Sequence, residues 1–223
     1  MQPPEYAAIL SKTGKALVAV GVIDIVVMIY CIVAGYSYSS SLNIFAVVAG
    51  VFLLRGSLRA AAIVRWLSVF FLAASCTVVI AWPFIQPLDL TLTQIRLHPA
   101  ATAGTILFLA FVLALLLWVK NQLGQPLILA AQSAAGTKVH SVRITASVGI
   151  AMVVVLAAIM PILLGSQSGL KAKSLAAQQL GASYQYHVSS LSISTSGQGT
   201  SVRATVTAWN EQEVRSVPLE WSE

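Results

Sequence analysis

Long and nearly uncharged apolar stretches fill most of the first 165 residues, and they restrict what the chain can fold into. A bilayer core about 30 Å thick is crossed by roughly 20 apolar residues in an α-helix, because backbone groups in lipid have to bond within their own segment. Charged residues are scarce as well: they make up only 9% of the chain, against about 25% in soluble domains. This composition excludes a soluble monomer and a disordered chain.

Five segments are apolar enough to be membrane spans. They cover residues 16–36, 42–58, 66–82, 101–119 and 144–164. The second and third segments are short, and Arg55, Arg59 and Arg65 lie at the connection between them. Arginines placed together can extend to one interface, which favours two separate spans. The alternative is a single reentrant hairpin formed by both segments.

Basic residues are distributed unequally over the predicted connections. Eight of them lie on one side of the five-span arrangement: Lys12, Lys15, Arg55, Arg59, Arg65, Lys120, Lys138 and Arg143. The opposite connections contain only Arg96. Because short loops rich in Lys and Arg stay in the cytoplasm, we expect a multi-pass protein of the plasma (inner) membrane with a cytoplasmic N-terminus. The net charge of +6 has the same origin, so the lipid bilayer is an expected partner and nucleic acid is not.

Two of the connections predict short helices. Residues 83–99 carry apolar side chains at helical spacing, which predicts an amphipathic helix at the outer interface. These are Leu88, Leu92 and Ile95. Asp89, Arg96 and His98 are the nearest approach to an acid–base set, and we treat them as a possible extracytoplasmic site beside the simpler interpretation of a tether. The cytoplasmic connection, residues 120–143, predicts an interfacial helix in which the sequence indicates no chemistry.

After residue 165 the composition changes to Ser, Gln, Thr and Gly, which marks a second domain. A helix is predicted over about Gly169–Leu180, with Gly181 at its end, and a three-stranded antiparallel meander follows. Within the first strand the apolar residues change from even-numbered to odd-numbered positions, so we expect a bulge near Ser189 and Ser190. Pro218 cannot donate to a ladder, which places the third strand at an edge.

The predicted fold is an all-α polytopic membrane bundle of five transmembrane helices, residues 1–165, followed by a small extracytoplasmic α+β domain, residues 166–223. A domain of about 60 residues is only marginally stable alone. We therefore expect it to dock on the outer ends of the spans, on a second copy of the chain, or on another protein that adds a strand to the open edge.

Asp24 is the only carboxylate inside a predicted span. A charged side chain at the centre of a bilayer costs about 2.5–3.5 kcal/mol on insertion scales, so Asp24 is expected to face other helices. One interpretation is a proton or cation site. The other is a hydrogen-bonded side chain that holds helices together, with Ser68, Ser75, Thr77 or Thr145 as possible partners.

Other small residues are interpreted as packing elements. Cys31 and Cys76 fall at similar predicted depths, but no C-x-x-C spacing lowers a thiol pKa, so small apolar side chains are favoured over a disulfide. Two pairs of small residues at four-residue spacing favour close helix approach. They are Ala46/Gly50 and Ala100/Gly104.

The function that these features favour is a non-enzymatic anchor, assembly or interaction subunit that presents a small extracytoplasmic module. The alternative is a small oligomeric transporter or channel component that uses Asp24. We expect no cofactor and no metal, because the sequence has no catalytic motif and its three histidines are isolated.

Overall fold

A computed structural model describes residues 5–35, 43–136, 141–196 and 199–222 of the protein. These residues form eight helices and a three-stranded sheet. The helices are α1 (Glu5–Val33), α2 (Asn43–Leu54), α3 (Leu58–Ile85), α4 (Leu88–Leu97), α5 (Pro99–Leu123), α6 (Pro126–Ala134), α7 (Val142–Leu164) and α8 (Gln167–Leu180). The strands are β1 (Gln185–Ser196), β2 (Gly199–Trp209) and β3 (Val214–Ser222).

Four helices in the described residues are long and apolar enough to cross a membrane, namely α1, α3, α5 and α7. Their large apolar side chains are extensively exposed, as on the α5 residues Ile106, Leu107 and Phe108. Such a surface suits lipid and not water. The prediction of a mostly helical membrane chain with a C-terminal antiparallel sheet is therefore confirmed at this level.

The segment predicted as the second span forms the shorter helix α2. Its 12 residues extend about 18 Å, less than the roughly 30 Å of a bilayer core. Gly56 follows with a φ of 73°, and the side chain of Ser57 accepts a hydrogen bond from the Ala60 amide at 3.2 Å. This cap starts α3 at Leu58, earlier than the predicted residue 66. The predicted bounds at residues 36 and 42 lie outside the described residues.

The earlier start of α3 corrects the prediction for the arginines. Arg59 and Arg65 belong to the first turns of α3 and do not form a connection between two spans. Only Arg55 lies in the turn between α2 and α3. An N-terminal cap and the strongly helical Ala60–Ala62 run favour this helix over a loop.

The chain divides into two compact units. The first contains residues 1–73 and 112–149, and the second contains residues 74–111 and 150–223. The core of the first unit joins side chains from five helices. These are Leu10, Leu17, Leu53, Ala61, Val64, Val119, Leu123 and Ile128.

Helix α2 runs antiparallel to α1 in the first unit. Gly14 of α1 lies against both Gly50 and Leu54, and Gly50 lies against both Gly14 and Val18. Residues later in α1 therefore contact residues earlier in α2. The C-terminal end of α2 lies beside the N-terminal half of α1.

In the second unit, α8 covers one face of the sheet. The buried side chains between them are Ala172, Ala176, Val188, Ala204, Val206, Ala208, Val217 and Leu219. The strand order is β1-β2-β3, which confirms the meander and places Pro218 on an outer strand. Helix α8 begins two residues earlier than predicted and ends at Leu180, with Gly181 as its C-cap at a φ of 86°.

The expected bulge in β1 is present. Val188 pairs with Val206 and Ser190 pairs with Thr205, so Ser189 is the additional residue. Because strand side chains alternate between the two faces, this extra residue returns Leu191 to the side facing α8.

Candidate functional site

Asp24 lies on the partly buried side of α1. Gly14, Leu17 and Gly21 are the buried residues nearest to it along the chain, and their spacing places Asp24 on the same face of the helix. The residue is partly buried, and it takes part in a polar interaction in the structure. Asp24 is therefore turned towards protein, as both interpretations of its role require.

The antiparallel packing sets the depth of Asp24 relative to α2. Asp24 is ten residues beyond Gly14, or about 15 Å along α1. Asn43 is eleven residues before Leu54, or about 16 Å along α2. Since Gly14 lies against Leu54, Asp24 is level with the first turn of α2. The amide groups of a helix N-terminus favour a nearby carboxylate.

Two of the hydroxyls considered as partners of Asp24 bond within their own helices. Ser68 donates to the Val64 carbonyl at 2.8 Å, and Thr145 donates to the Ser141 carbonyl at 3.1 Å. Both side chains are buried. These local bonds satisfy hydroxyl donors without a second helix.

Asp89, Arg96 and His98 lie along α4 and do not converge. Asp89 is in the first turn, Arg96 is in the last turn, and His98 is the C-terminal cap residue. All three are exposed. Asp89 and Arg96 are separated by seven residues, or about 10 Å along the axis, and the described residues include no ion pair between them. Their spacing gives no acid–base pair within hydrogen-bond reach of one substrate atom.

Helix α4 is nevertheless organised as an interfacial helix would be. Leu90 is 2% exposed, whereas the predicted apolar stripe is at the surface, where Leu88, Leu92 and Ile95 are all exposed. The stripe thus points away from the side that packs on protein. The Gln86 side-chain amide donates to the Gln94 side-chain oxygen at 3.1 Å, which joins the residue before the N-cap to the C-terminal half of α4.

A small cavity in the first unit brings together polar groups that the sequence did not single out. It measures about 10 Å³ and is lined by Ala62, Arg65, Trp66, Val69, Gln132, Val142 and Thr145. Gln132 is fully buried, and its side-chain nitrogen donates to the Leu58 carbonyl at 3.4 Å. Within the described part of the chain, Arg65 Nε and Gln132 Oε1 are buried without a hydrogen-bond partner.

Gln132 corrects the expectation that the connection after α5 contains no chemistry. The predicted interfacial helix is present as α6, but Ile128 and Gln132 are both fully buried in the first unit. Their spacing of four residues places them on one helix face. This spacing was the only indication in the sequence that Gln132 is buried, because a glutamine among alanines is usually a surface residue.

A polar cluster connects the ends of the three strands in the second unit. Tyr184 donates a short hydrogen bond to the Glu213 carboxylate, and Arg215 Nε lies 2.9 Å from the other oxygen. The hydrogen bond from Tyr184, followed by that from Arg215, lowers the pKa of Glu213. The side-chain oxygen of Asn210 accepts from the amides of Gln212 and Glu213, both at 2.9 Å, which closes the turn. This cluster fixes the β2–β3 turn against the start of β1.

His187 and the two cysteines complete the groups with potential chemistry. Burial, with a smaller contribution from Lys173, lowers the pKa of His187. Cys31 and Cys76 are both free thiols, the first partly buried and the second exposed. Among the described residues, no group of three or more His, Cys, Asp or Glu side chains is arranged to hold a metal ion.

Comparison of the chain with protein-family models, with curated proteins and with solved structures finds no match.

Proposed function

We propose that this protein anchors its C-terminal α+β module in the plasma (inner) membrane and presents it outside the cytoplasm to a protein partner or to a second copy, without catalysing a reaction. The junction between α7 and α8 is the observation that supports this most. Only Gly165 and Ser166 separate an apolar helix from the module. Leu164, at the end of α7, packs against the core of the sheet.

The junction is also sterically tight. A Cβ atom on Gly169 would lie 1.9 Å from the Leu164 carbonyl oxygen, so only glycine allows the first turn of α8 to lie this close to the end of α7. A module held in this way has a fixed orientation on its helix. Fixed orientation suits the presentation of a binding surface.

The proposed topology has five crossings, although one of them involves the short helix α2. Because the end of α2 lies beside Gly14, the chain returns to the side on which α1 begins. Helices α3, α5 and α7 then add three crossings. With the basic connections in the cytoplasm, the N-terminus lies inside and the module lies outside.

Reporter fusions test this topology. A reporter that is active only outside the cytoplasm should work when it is fused after residue 223 and fail when it is fused after Gly136. Reporter activity at Gly136 with none at residue 223 would place the module in the cytoplasm and refute its presentation outside the cytoplasm.

The outer strands of the sheet are the proposed contact surface, because an outer strand offers backbone groups to a partner strand. A photocrosslinking residue at the exposed Ser192 of β1 should give a defined adduct in intact membranes. The same residue at Gln178, exposed on α8, is the matched control. Adducts of equal yield at both positions, or none at Ser192, would contradict binding through the strand edge.

Transport through Asp24 is the second candidate function. It is favoured by the position of Asp24 level with the start of α2, because short helices that begin within the membrane form ion sites in several transporter folds. Asp24→Asn, which removes the charge but keeps an acceptor oxygen, separates the two functions, because only transport requires the charge.

A further inference from the structure

We propose that the cavity at Arg65 and Gln132 binds the headgroup of an anionic phospholipid that carries a hydroxyl group, as phosphatidylglycerol does. The two buried atoms without partners define what the ligand has to offer. Arg65 Nε is a donor and requires an acceptor oxygen, whereas Gln132 Oε1 is an acceptor and requires a donor. Leaving such groups buried and unsatisfied is unfavourable, so a ligand that satisfies both is stabilised in the cavity.

The charges around the cavity favour an anion. Residues 55–73 and 112–149 contain no Asp or Glu, so these segments provide no carboxylate for Arg65. Arg59 follows Leu58, whose carbonyl binds Gln132, and Arg143 lies between the lining residues Val142 and Thr145. Both arginines are exposed. Together they disfavour an ammonium headgroup and attract a phosphate.

The remaining lining residues favour a lipid over a free phosphate ion. Ala62, Val69 and Val142 are apolar, and Trp66 is the type of side chain that is enriched at membrane interfaces. Arg65 is the eighth residue of α3, about 10 Å from the start of the helix, which is within reach of an interface. A site that is polar on one side and apolar on the other matches the headgroup and glycerol region of a phospholipid.

The size of the cavity determines which part of the lipid enters. A volume of about 10 Å³ admits a single oxygen-sized group. A headgroup hydroxyl can accept from Arg65 and donate to Gln132 at the same time. The phosphate then stays outside the cavity, and the exposed Arg59 and Arg143, which are close to the lining residues in sequence, are its expected partners.

Lipid retention by the full-length protein tests this proposal. The protein is purified in neutral detergent and mixed with equal amounts of phosphatidylglycerol, phosphatidic acid and phosphatidylcholine, and bound lipids are counted by native mass spectrometry. We expect phosphatidylglycerol to be retained at least about tenfold over phosphatidylcholine, because hydrogen bonds to charged groups contribute about 1.5–3 kcal/mol. Phosphatidic acid, which lacks the alcohol, should be intermediate.

Three variants locate the site. Arg65→Gln should reduce retention of phosphatidylglycerol to that of phosphatidic acid, because the hydroxyl loses its donor while the phosphate keeps its contacts outside the cavity. Gln132→Leu should reduce retention of phosphatidylglycerol to that of phosphatidic acid. Lys12→Gln removes one exposed positive charge from α1, away from the cavity lining, and should leave the order of the three lipids unchanged.

Four results would overturn the proposal. Equal retention of phosphatidylglycerol and phosphatidylcholine would mean that a water molecule suffices between the two side chains. Equal losses in Lys12→Gln and Arg65→Gln would indicate diffuse attraction to charge. If Gln132→Leu kept the preference for phosphatidylglycerol over phosphatidic acid, the hydroxyl group would not contact Gln132. If inorganic phosphate displaced bound phosphatidylglycerol as effectively as added phosphatidylglycerol does, a free anion would be the ligand. If Arg65→Gln does not accumulate in cells, the relative retention of the three lipids by the wild type and by Gln132→Leu still tests the proposal.

Discussion

A Cβ atom on Gly50 of α2 would lie 2.7 Å from the carbonyl oxygen of Gly14 on α1, and a Cβ atom on Gly14 would lie 2.7 Å from the carbonyl oxygen of Gly50. The two helices are therefore in backbone contact at a reciprocal pair of glycines. Close contact of this kind stabilises helix pairs in membranes through van der Waals packing and through weak Cα–H···O bonds. The pair fixes α2, which is too short to span a bilayer by itself, along the N-terminal half of α1.

This contact predicts a strong effect of a single methyl group. Gly50→Ala should destabilise the protein by about 1–3 kcal/mol, as overpacking does in well-packed cores, because Val18 also lies 2.7 Å from the added atom. Gly104→Ala is the matched control: no described atom lies within 4 Å of its Cβ position, so it should be neutral or slightly stabilising. Thermal unfolding in detergent measures both. Equal effects would show that α1 and α2 are not in backbone contact.

The two glycines also show what the sequence reveals about helix packing. Ala46/Gly50 and Ala100/Gly104 have the same spacing, but only Gly50 lies at a contact. The difference is the residue opposite, Gly14, which belongs to another helix and has no fixed spacing from Gly50 in the sequence. A small-residue pattern describes one side of an interface, whereas packing requires both.

The features of the sheet were predictable because their signals are local in the sequence, whereas helix packing depends on a second segment. The change of apolar parity around Ser189 is a local signal, because side chains alternate strictly in a strand, and it gave the bulge directly. Pro218 indicated the outer strand by its missing amide donor. In contrast, the Arg65 cavity requires α3, α6 and α7 to converge, so neither Arg65 nor Gln132 indicated a cavity by its own neighbours in the sequence.

Substitutions of Asp24 distinguish a structural carboxylate from a transport site. Because Asp24 is level with the first turn of α2, we expect it to accept hydrogen bonds there. Asp24→Asn keeps an acceptor oxygen and should preserve assembly and stability. Asp24→Leu leaves the partner groups unsatisfied and should cost about 1–3 kcal/mol, measured as a lower midpoint of thermal unfolding in detergent.

The opposite pattern would favour transport. If Asp24→Asn abolished a proton-coupled flux in vesicles while expression and stability stayed normal, the charge itself would be the functional feature, and anchoring would not account for Asp24. An unchanged stability in Asp24→Leu would also contradict the structural role.

The stability of the C-terminal module should fall as the pH decreases through the range in which His187 titrates. Burial, and secondarily Lys173, lowers the pKa of His187 below its ordinary value of about 6.5. The unfolded state therefore binds the proton more tightly, so the stabilising contribution is present above about pH 6.5 and is lost as the pH falls towards the folded-state pKa.

Hydrogen exchange of the β1 and β2 amides in the full-length protein tests this dependence. Exchange should be faster at pH 5.5 than at pH 7.5 once the intrinsic rates have been corrected for pH, and His187→Gln should remove most of the difference. A second loss is expected at lower pH, because the hydrogen bonds from Tyr184 and Arg215 lower the pKa of Glu213. If His187→Gln kept the full difference between pH 5.5 and 7.5, another group would be responsible.

The core of the module predicts opposite outcomes for two neighbouring residues of β2. Val206 is fully buried against the side of the sheet that α8 covers, whereas Thr205 faces the other side and pairs with Ser190 and Pro218. Val206→Asp would bury a charge without a partner, which costs several kcal/mol in a domain small enough to be marginally stable. Thr205→Asp should change stability by no more than about 0.5 kcal/mol. Protease digestion of intact membranes should therefore cleave the module in Val206→Asp and spare it in Thr205→Asp, because only an unfolded module exposes its backbone. Equal resistance of the two variants would mean that Val206 is not in the core between α8 and the sheet.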